Sequence, residues 1–328
     1  MKIEKYLKIV LFLSLPLLLN SCFDTEDPNA NLREESDQLI SEYLEDNNIQ
    51  ATKSNFNYYY EPITENSAGK DVETGDVVGV YYKISNLSGQ HIDSLTESMG
   101  DPLPFLHVAN NSAITIPPVV NLGLTWMKEG ETYRFYVPSY LAYGSYQNDT
   151  LMSSYTNLKM DVTVAYIADS TTRANMEDEM IQNYLNTNSI TNYQTISQGV
   201  YYYQTQAGEG STPETGAFVK IKYKGFLLEN GKVFDQVEAG EDPYNYRFKV
   251  DNVIDGFALG IGEMVKGEKG VVIIPSFSGY GAQGNTAVLL IGGQQASARV
   301  LLPQKIAVNY QNYIPPFSPI VFELEMLE

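Results

Sequence analysis

Side chains able to do chemistry are unevenly supplied in this sequence of 328 residues. It holds one cysteine, Cys22, and two histidines, His91 and His107, against 40 Asp and Glu, 21 Lys and Arg, and 25 Tyr. One thiol and two isolated imidazoles exclude a disulfide scaffold and a His/Cys zinc site, although a carboxylate-based metal site stays open. Neither histidine is expected to bind metal, and no cofactor is expected. The formal charge of −19 argues against a nucleic-acid partner, because phosphate binding needs a basic face. With 43% hydrophobic and 19% charged residues the chain can bury a core. The 25 tyrosines are too many to pass over.

The elements that position these residues come in two copies. Length alone suggests about two domains, and the apolar set Leu39, Ile40, Tyr43, Leu44 and Ile49 recurs as Met180, Ile181, Tyr184, Leu185 and Ile190. The spacing persists from Gly75 to Gly216 and from Tyr82 to Tyr223. It then shortens slightly, matching Gly130 with Gly267, Pro138 with Pro275, and Tyr143-Gly144 with Tyr280-Gly281. Two long copies indicate tandem globular domains, not a solenoid. Each copy opens with an acidic amphipathic helix, at 32–47 and about 172–185. A mainly β segment follows. In the second copy residues 218–223 alternate as a half-buried strand does, and Asn230-Gly231 reads as a hairpin turn. Residues 244–250 alternate again, 253–264 form a short apolar helix, and 270–275 and 320–327 are further strands. The pattern is that of an α+β domain.

The second copy carries an ordered series of short motifs: Tyr223-Lys224-Gly225, Gly231-Lys232-Val233-Phe234-Asp235, Pro243-Tyr244, Val253-Ile254-Asp255-Gly256-Phe257, Met264-Val265-Lys266-Gly267-Glu268, Tyr280-Gly281, Ile314-Pro315-Pro316 and Val321-Phe322-Glu323-Leu324. In this order and spacing the segment 199–328 resembles the FKBP-type peptidyl-prolyl cis-trans isomerases. The resemblance implies two tandem FKBP-like domains, each an antiparallel curved sheet wrapped on a short helix and each preceded by an acidic helix. It also implies a proline pocket in the second. There Tyr223, Phe234, Asp235, Ile254, Phe257, Tyr280 and Phe322 would act on the substrate, and Tyr244, Val253 and Ile314 would help bind it. The backbone N–H of Ile254 and the hydroxyl of Tyr280 would hold substrate carbonyls, and Asp235 would orient the pocket. Phe257 stands at the floor where tryptophan is common, and Tyr244 where phenylalanine is common.

An insertion at about 285–312 departs from compact members of the family. Its apolar runs 288–291, 300–302 and 306–308 suggest extra strands or a cap beside the pocket. The first copy departs further. Ile92 stands where Phe234 is, the floor falls at about Val120, and Pro117, which has no N–H to donate, falls near the Ile254 position. The first domain is therefore expected to be non-catalytic. Trp126 lies outside the floor register.

Residues 1–21 read as a signal peptide, with Lys2, Lys5 and Lys8 before an apolar run at 9–19. Leu19-Asn20-Ser21-Cys22 resembles a bacterial lipobox, making Cys22 a lipidation site and 22–31 a tether. Loss of the signal takes the formal charge to −21. The domain reading is then a degenerate FKBP-like unit with its leading helix at 32–168, a linker helix at 169–198 and an isomerase unit at 199–328. The expected protein is a monomeric lipoprotein of the cell envelope, held in the outer membrane by its lipid and facing periplasm or cell surface. It would isomerise X-Pro bonds in proline-containing exported polypeptides. The alternative is a non-catalytic lipoprotein using the folds as a protein-binding scaffold or holdase.

Overall fold

A computed structural model of the chain describes residues 30–111, 115, 117–147, 150–237, 240–285, 287–291, 294–298 and 312–327, the segments between 287 and 298 by backbone alone. The signal, Cys22 and most of the tether lie outside these residues, as do the apolar runs at 300–302 and 306–308.

Helix α1 (Ala30–Asp46) precedes β1 (Thr52–Lys53), β2 (Tyr59–Thr64), β3 (Val77–Asn86), β4 (His91–Leu95) and β5 (Leu103–Leu106). A short helix α2 (Pro118–Leu124) leads to β6 (Thr132–Val137) and β7 (Leu158–Ala168). The series then repeats: α3 (Ser170–Thr187), β8 (Gln194–Thr195), β9 (Tyr201–Gln206), β10 (Phe218–Leu227), β11 (Val233–Gln236), β12 (Tyr244–Arg247), α4 (Asp255–Ile261) and β13 (Lys269–Ile274). A hairpin of β14 (Ala287–Ile291) and β15 (Gln294–Ala298) follows, and β16 (Ile320–Met326) ends the series.

The strands pair in two antiparallel sheets of one topology. The first runs β1-β2-β6-β7-β3-β4 with β5 also on β3; the second runs β8-β9-β13-β16-β10-β11 with β12 also on β10. Each is an α+β unit, as the duplication requires. The hairpin β14–β15 stands as a separate two-stranded sheet, so the part of the insertion that is described makes extra strands.

Each sheet buries both faces. On the inner face it curves around its short helix: α4 packs on β13 so closely that a Cβ at Gly260 would meet Val272 at 2.2 Å. On the outer face lies the long acidic helix. Ile40 and Leu44 of α1 pack with Tyr136, and Ile181 and Leu185 of α3 pack with Tyr201, Ile273 and Val321. Each such aliphatic side chain contributes about 1.5–3 kcal/mol by leaving water. The buried stripe is narrower than the sequence pattern suggests: Leu39 is 48% exposed. Segment 169–198 thus carries both α3 and β8, and both are part of the second unit's packing.

A further difference from expectation lies after β12. The alternation at 244–250 does not continue as a strand, because the Arg247 carbonyl accepts from both Val250 and Asp251 N–H and closes a turn. Phe248 is buried and Val250 exposed as a result. The turn also requires a left-handed conformation at Lys249, φ 54°.

The tyrosines serve two purposes in this fold. Tyr58, Tyr136 and Tyr246 are among the largest fully buried side chains. Several donate to carboxylates, Tyr136 among them: Tyr136 to Glu61 at 2.7 Å, Tyr140 to Asp37 at 2.7 Å, Tyr201 to Asp178, and Tyr202 to Glu268. In an acidic chain poor in Lys and Arg, a phenol satisfies a carboxylate without adding charge.

Candidate active site

The second sheet gathers its aromatic residues over α4. From β10 the Tyr223 ring meets Tyr244, Phe257 and Phe322 edge-on, at centroid separations of 6.2, 6.0 and 5.9 Å. Phe234 of β11 lies 5.6 Å from Phe322 and 6.2 Å from Tyr280, and Phe257 lies 5.1 Å from Phe322. These T-shaped contacts suit the ring quadrupoles. Gly225 makes them possible. It pairs with Asp235 on one side and Phe322 on the other, and a Cβ there would sit 2.7 Å from the Phe322 ring and 2.8 Å from Phe234.

Phe234, Phe257 and Phe322 are buried and form the floor. Tyr223, Val253, Ile254 and Tyr280 are half-buried around it, with Ile314 in the same core and Tyr244 36% exposed. All ten residues expected at the pocket therefore meet around one aromatic cluster. Polar groups sit at its mouth. Tyr223 donates its hydroxyl to Asp235 Oδ2 at 2.9 Å, and Asp235 is solvent-exposed. Burial and then this carboxylate push the Tyr223 phenol up, and burial likewise raises Tyr280, with Asp235 adding to it. Both phenols are protonated donors at neutral pH. Ile254 caps α4 with φ −63° and ψ 145°, its carbonyl accepting from Phe257 and Ala258. Its own N–H has no hydrogen-bond partner among the described residues.

Two contributors were not singled out by sequence. Tyr246, fully buried, supports Phe257 at 6.2 Å and stacks on Tyr244. Phe248, held inward by the turn after β12, packs on Tyr246. The alternation through 244–248 is the signal that places them on one face.

The first domain repeats the frame without the aromatic lining. Pro117 caps α2 at φ −69° and ψ 144°, matching Ile254, so Val120 falls where Phe257 is. Strand register places Leu103 opposite Val80 as Tyr244 is opposite Ile221, and Met160 opposite Ile84 as Phe322 is opposite Gly225. Ile92 replaces Phe234. The polar pair survives, with Tyr82 donating to Asp93 at 3.1 Å, but Tyr82, Asp93 and Tyr143 are all buried. Trp126 is exposed, outside the floor. His107 is buried against Asn121 and His91 is exposed beside Ser94; among the described residues no cluster could hold a metal ion.

The profile of the family described as FKBP-type peptidyl-prolyl cis-trans isomerase matches residues 69–165 and 209–327, one segment in each unit and together more than half of the chain. FK506-binding protein 1 of Saccharomyces cerevisiae is 32% identical over 122 residues, 37% of this chain and 84% of the relative. The FKBP-type isomerase FkpA of Escherichia coli K12 is 31% identical over 134 residues, 41% of this chain and 39% of the relative. The crystal structure of the three FKBP domains of wheat FKBP73 is 18% identical with a TM-score of 0.30, covering 85% of this chain and 98% of that one. Several relatives are much longer than the shared region: the match spans 20% of FK506-binding protein 3 of Candida albicans. With both sheets carrying the same topology and both matched by one profile, the chain belongs to the FKBP-type peptidyl-prolyl cis-trans isomerase family.

Proposed function

We propose that the second domain, at about 199–328, is a peptidyl-prolyl cis-trans isomerase and that the first, at about 32–168, is a non-catalytic copy. The observation that carries this reading is the cluster of Phe234, Phe257 and Phe322 beside Tyr280 and the exposed Tyr223–Asp235 pair; in the first domain Ile92, Val120 and Met160 stand in place of the three phenylalanines, and Tyr143 and the Tyr82–Asp93 pair are buried.

The reaction suits such a site. The peptide bond resists rotation by about 18–20 kcal/mol, and X-Pro isomerisation takes tens to hundreds of seconds unaided. Twisting the amide removes its resonance and its polarity, so a dry aromatic floor favours the twisted state over the planar one. No bond breaks, and no nucleophile is required. A thousandfold acceleration needs about 4 kcal/mol of such preference. The Ile254 N–H and the Tyr280 hydroxyl are the donors suited to hold substrate carbonyls, and Asp235 keeps Tyr223 oriented at the mouth. Substrates would be proline-containing polypeptides in extended form.

The apolar start and Cys22 support anchoring by N-terminal lipid in the cell envelope, with exported proteins as clients. Among the described residues no helix is long and apolar enough to cross a membrane. Cys22→Ala should then move the protein from the membrane fraction to the soluble one.

A second reading, binding without catalysis, draws on exposed apolar side chains on and near the β10–β12 edge: Phe218 at 75%, Val250 at 48% and Tyr244 at 36%. A protease-coupled isomerisation assay on residues 23–328 separates the two. Catalysis predicts a rate well above background that falls in Tyr280→Phe and Asp235→Ala. No rate above background, with peptide binding that survives both substitutions, would leave the binding reading.

A further inference from the structure

At the junction of the domains lie buried groups that the pocket chemistry does not use. Tyr313 belongs by sequence to the second domain, yet it is 7% exposed within the first domain's core, with its phenol near that of Tyr82. The next residue, Ile314, is 1% exposed in the second domain's core, beside the pocket. Consecutive side chains of one extended segment thus point into different domains. The junction holds a partly open cavity of about 420 Å³ whose wall includes Tyr82, Leu95, Tyr166, Arg173, Tyr313 and Phe317.

The backbone around Tyr313 is tied to the pocket rim. Ile314 and Asn285 exchange backbone hydrogen bonds at 2.9 and 3.1 Å, and the Phe317 N–H donates to the carbonyl of Gly281, next to Tyr280, at 2.9 Å. From the other side Arg173 of α3 donates to the Phe317 carbonyl at 2.7 Å and to the Tyr166 hydroxyl of the first domain at 3.1 Å. Its partner Glu177, 1% exposed, accepts from both N–H and hydroxyl of Ser276 at 2.7 Å, fixing the segment that leads into Tyr280. The first domain has the equivalent helix contact, Ser36 accepting from the Ser139 N–H at 2.8 Å, but no charged pair there.

We propose that the first domain is a positioning platform for the second domain's pocket, gripping it through Tyr313. The ring fixed in the first core sets the backbone of Ile314 and, through Phe317 and Gly281, the rim that carries Tyr280. Arg173 and Glu177 hold the same two segments from behind. In its activity arm this inference rests on the isomerase reading above. With the grip gone, the rim must be ordered when substrate binds, which raises KM; the floor of Phe234, Phe257 and Phe322 is untouched, so kcat is preserved.

The test uses the full chain with Tyr313→Ala, Tyr313→Phe and Arg173→Lys. Tyr313→Ala should raise KM about tenfold while kcat stays within about twofold, and Tyr313→Phe, which keeps the ring, should match the parent. Arg173→Lys keeps the charge beside Glu177 but cannot reach Tyr166 and Phe317 together; a KM rise of about threefold is expected. The methyl NMR signals of Ile314 should shift in Tyr313→Ala and not in Tyr313→Phe. Unchanged KM and unchanged Ile314 signals in Tyr313→Ala would overturn the inference. Should Tyr313→Ala fail to fold, Arg173→Lys decides by the same two readouts. Should the parent chain show no isomerase activity, the isomerase reading falls and the Ile314 signals alone decide this one.

Discussion

Apart from the β14–β15 hairpin, the two domains share their strand pairing and the cap geometry at the inner helix, yet they differ at the few positions where a ring would face a substrate. Pro117 and Ile254 hold almost identical dihedral angles, so the proline fits the frame perfectly well and removes only a donor. Val120, Ile92 and Met160 are fully buried in the first core, and Leu103 packs against it partly buried. What the difference teaches is that the fold tolerates either lining. The topology is maintained by β-pairing and the two helices, and the pocket is a separate layer of side chains placed upon it.

That separation can be broken by grafting one lining onto the other. The largest effect is expected for Ile254→Pro, which copies the first domain. The dihedrals already suit proline and no internal hydrogen bond is lost, so the melting temperature should stay within a few degrees. The activity, kcat/KM, should fall by roughly a hundredfold through loss of one donor to the substrate carbonyl. Phe257→Val, copying Val120, should cost about 2–3 kcal/mol of second-domain stability by denaturant titration and lower kcat/KM by about tenfold. The reverse graft, Val120→Phe, should overpack the first core, destabilising it by about 1–3 kcal/mol without adding activity.

The smallest effect separates the domains by pH. Burial holds the His107 imidazole below its ordinary pKa, opposed by its bond to Asn121 and by Asp76. The folded state therefore disfavours protonation, and this contribution to first-domain stability is full above about pH 6.5 and is lost as pH falls through the window below it. Trp126 is the chain's one tryptophan and lies in the first domain. The urea midpoint read from its fluorescence should drop between pH 7 and pH 5.5, and His107→Gln should flatten that change.

Much of this was legible in the sequence because duplication supplies its own control. Matching Tyr143-Gly144 with Tyr280-Gly281 aligned the copies so well that both glycines have the same left-handed conformation, φ 55° and 61°. The same alignment located Pro117 and Val120 in the worn pocket. Other features left no local trace. The turn after β12 interrupts a perfect alternation through a bond from the Arg247 N–H to the Asp251 carboxylate, which periodicity cannot show. The tyrosine–carboxylate pairs join residues as far apart as Asp37 and Tyr140. The seat of Tyr313 in the other domain's core depends on how two finished folds meet, and Tyr313 itself sits beside a motif, Ile314-Pro315-Pro316, that belongs wholly to its own domain.

The central claim is that one of two frames of the same strand topology does the chemistry. The most direct test compares Tyr280→Phe with Tyr143→Phe in the same isomerisation assay, since each removes one hydroxyl at matched positions. The account predicts that Tyr280→Phe lowers kcat/KM by about tenfold while Tyr143→Phe leaves it unchanged. Equal losses in the two, or a loss in Tyr143→Phe alone, would contradict it.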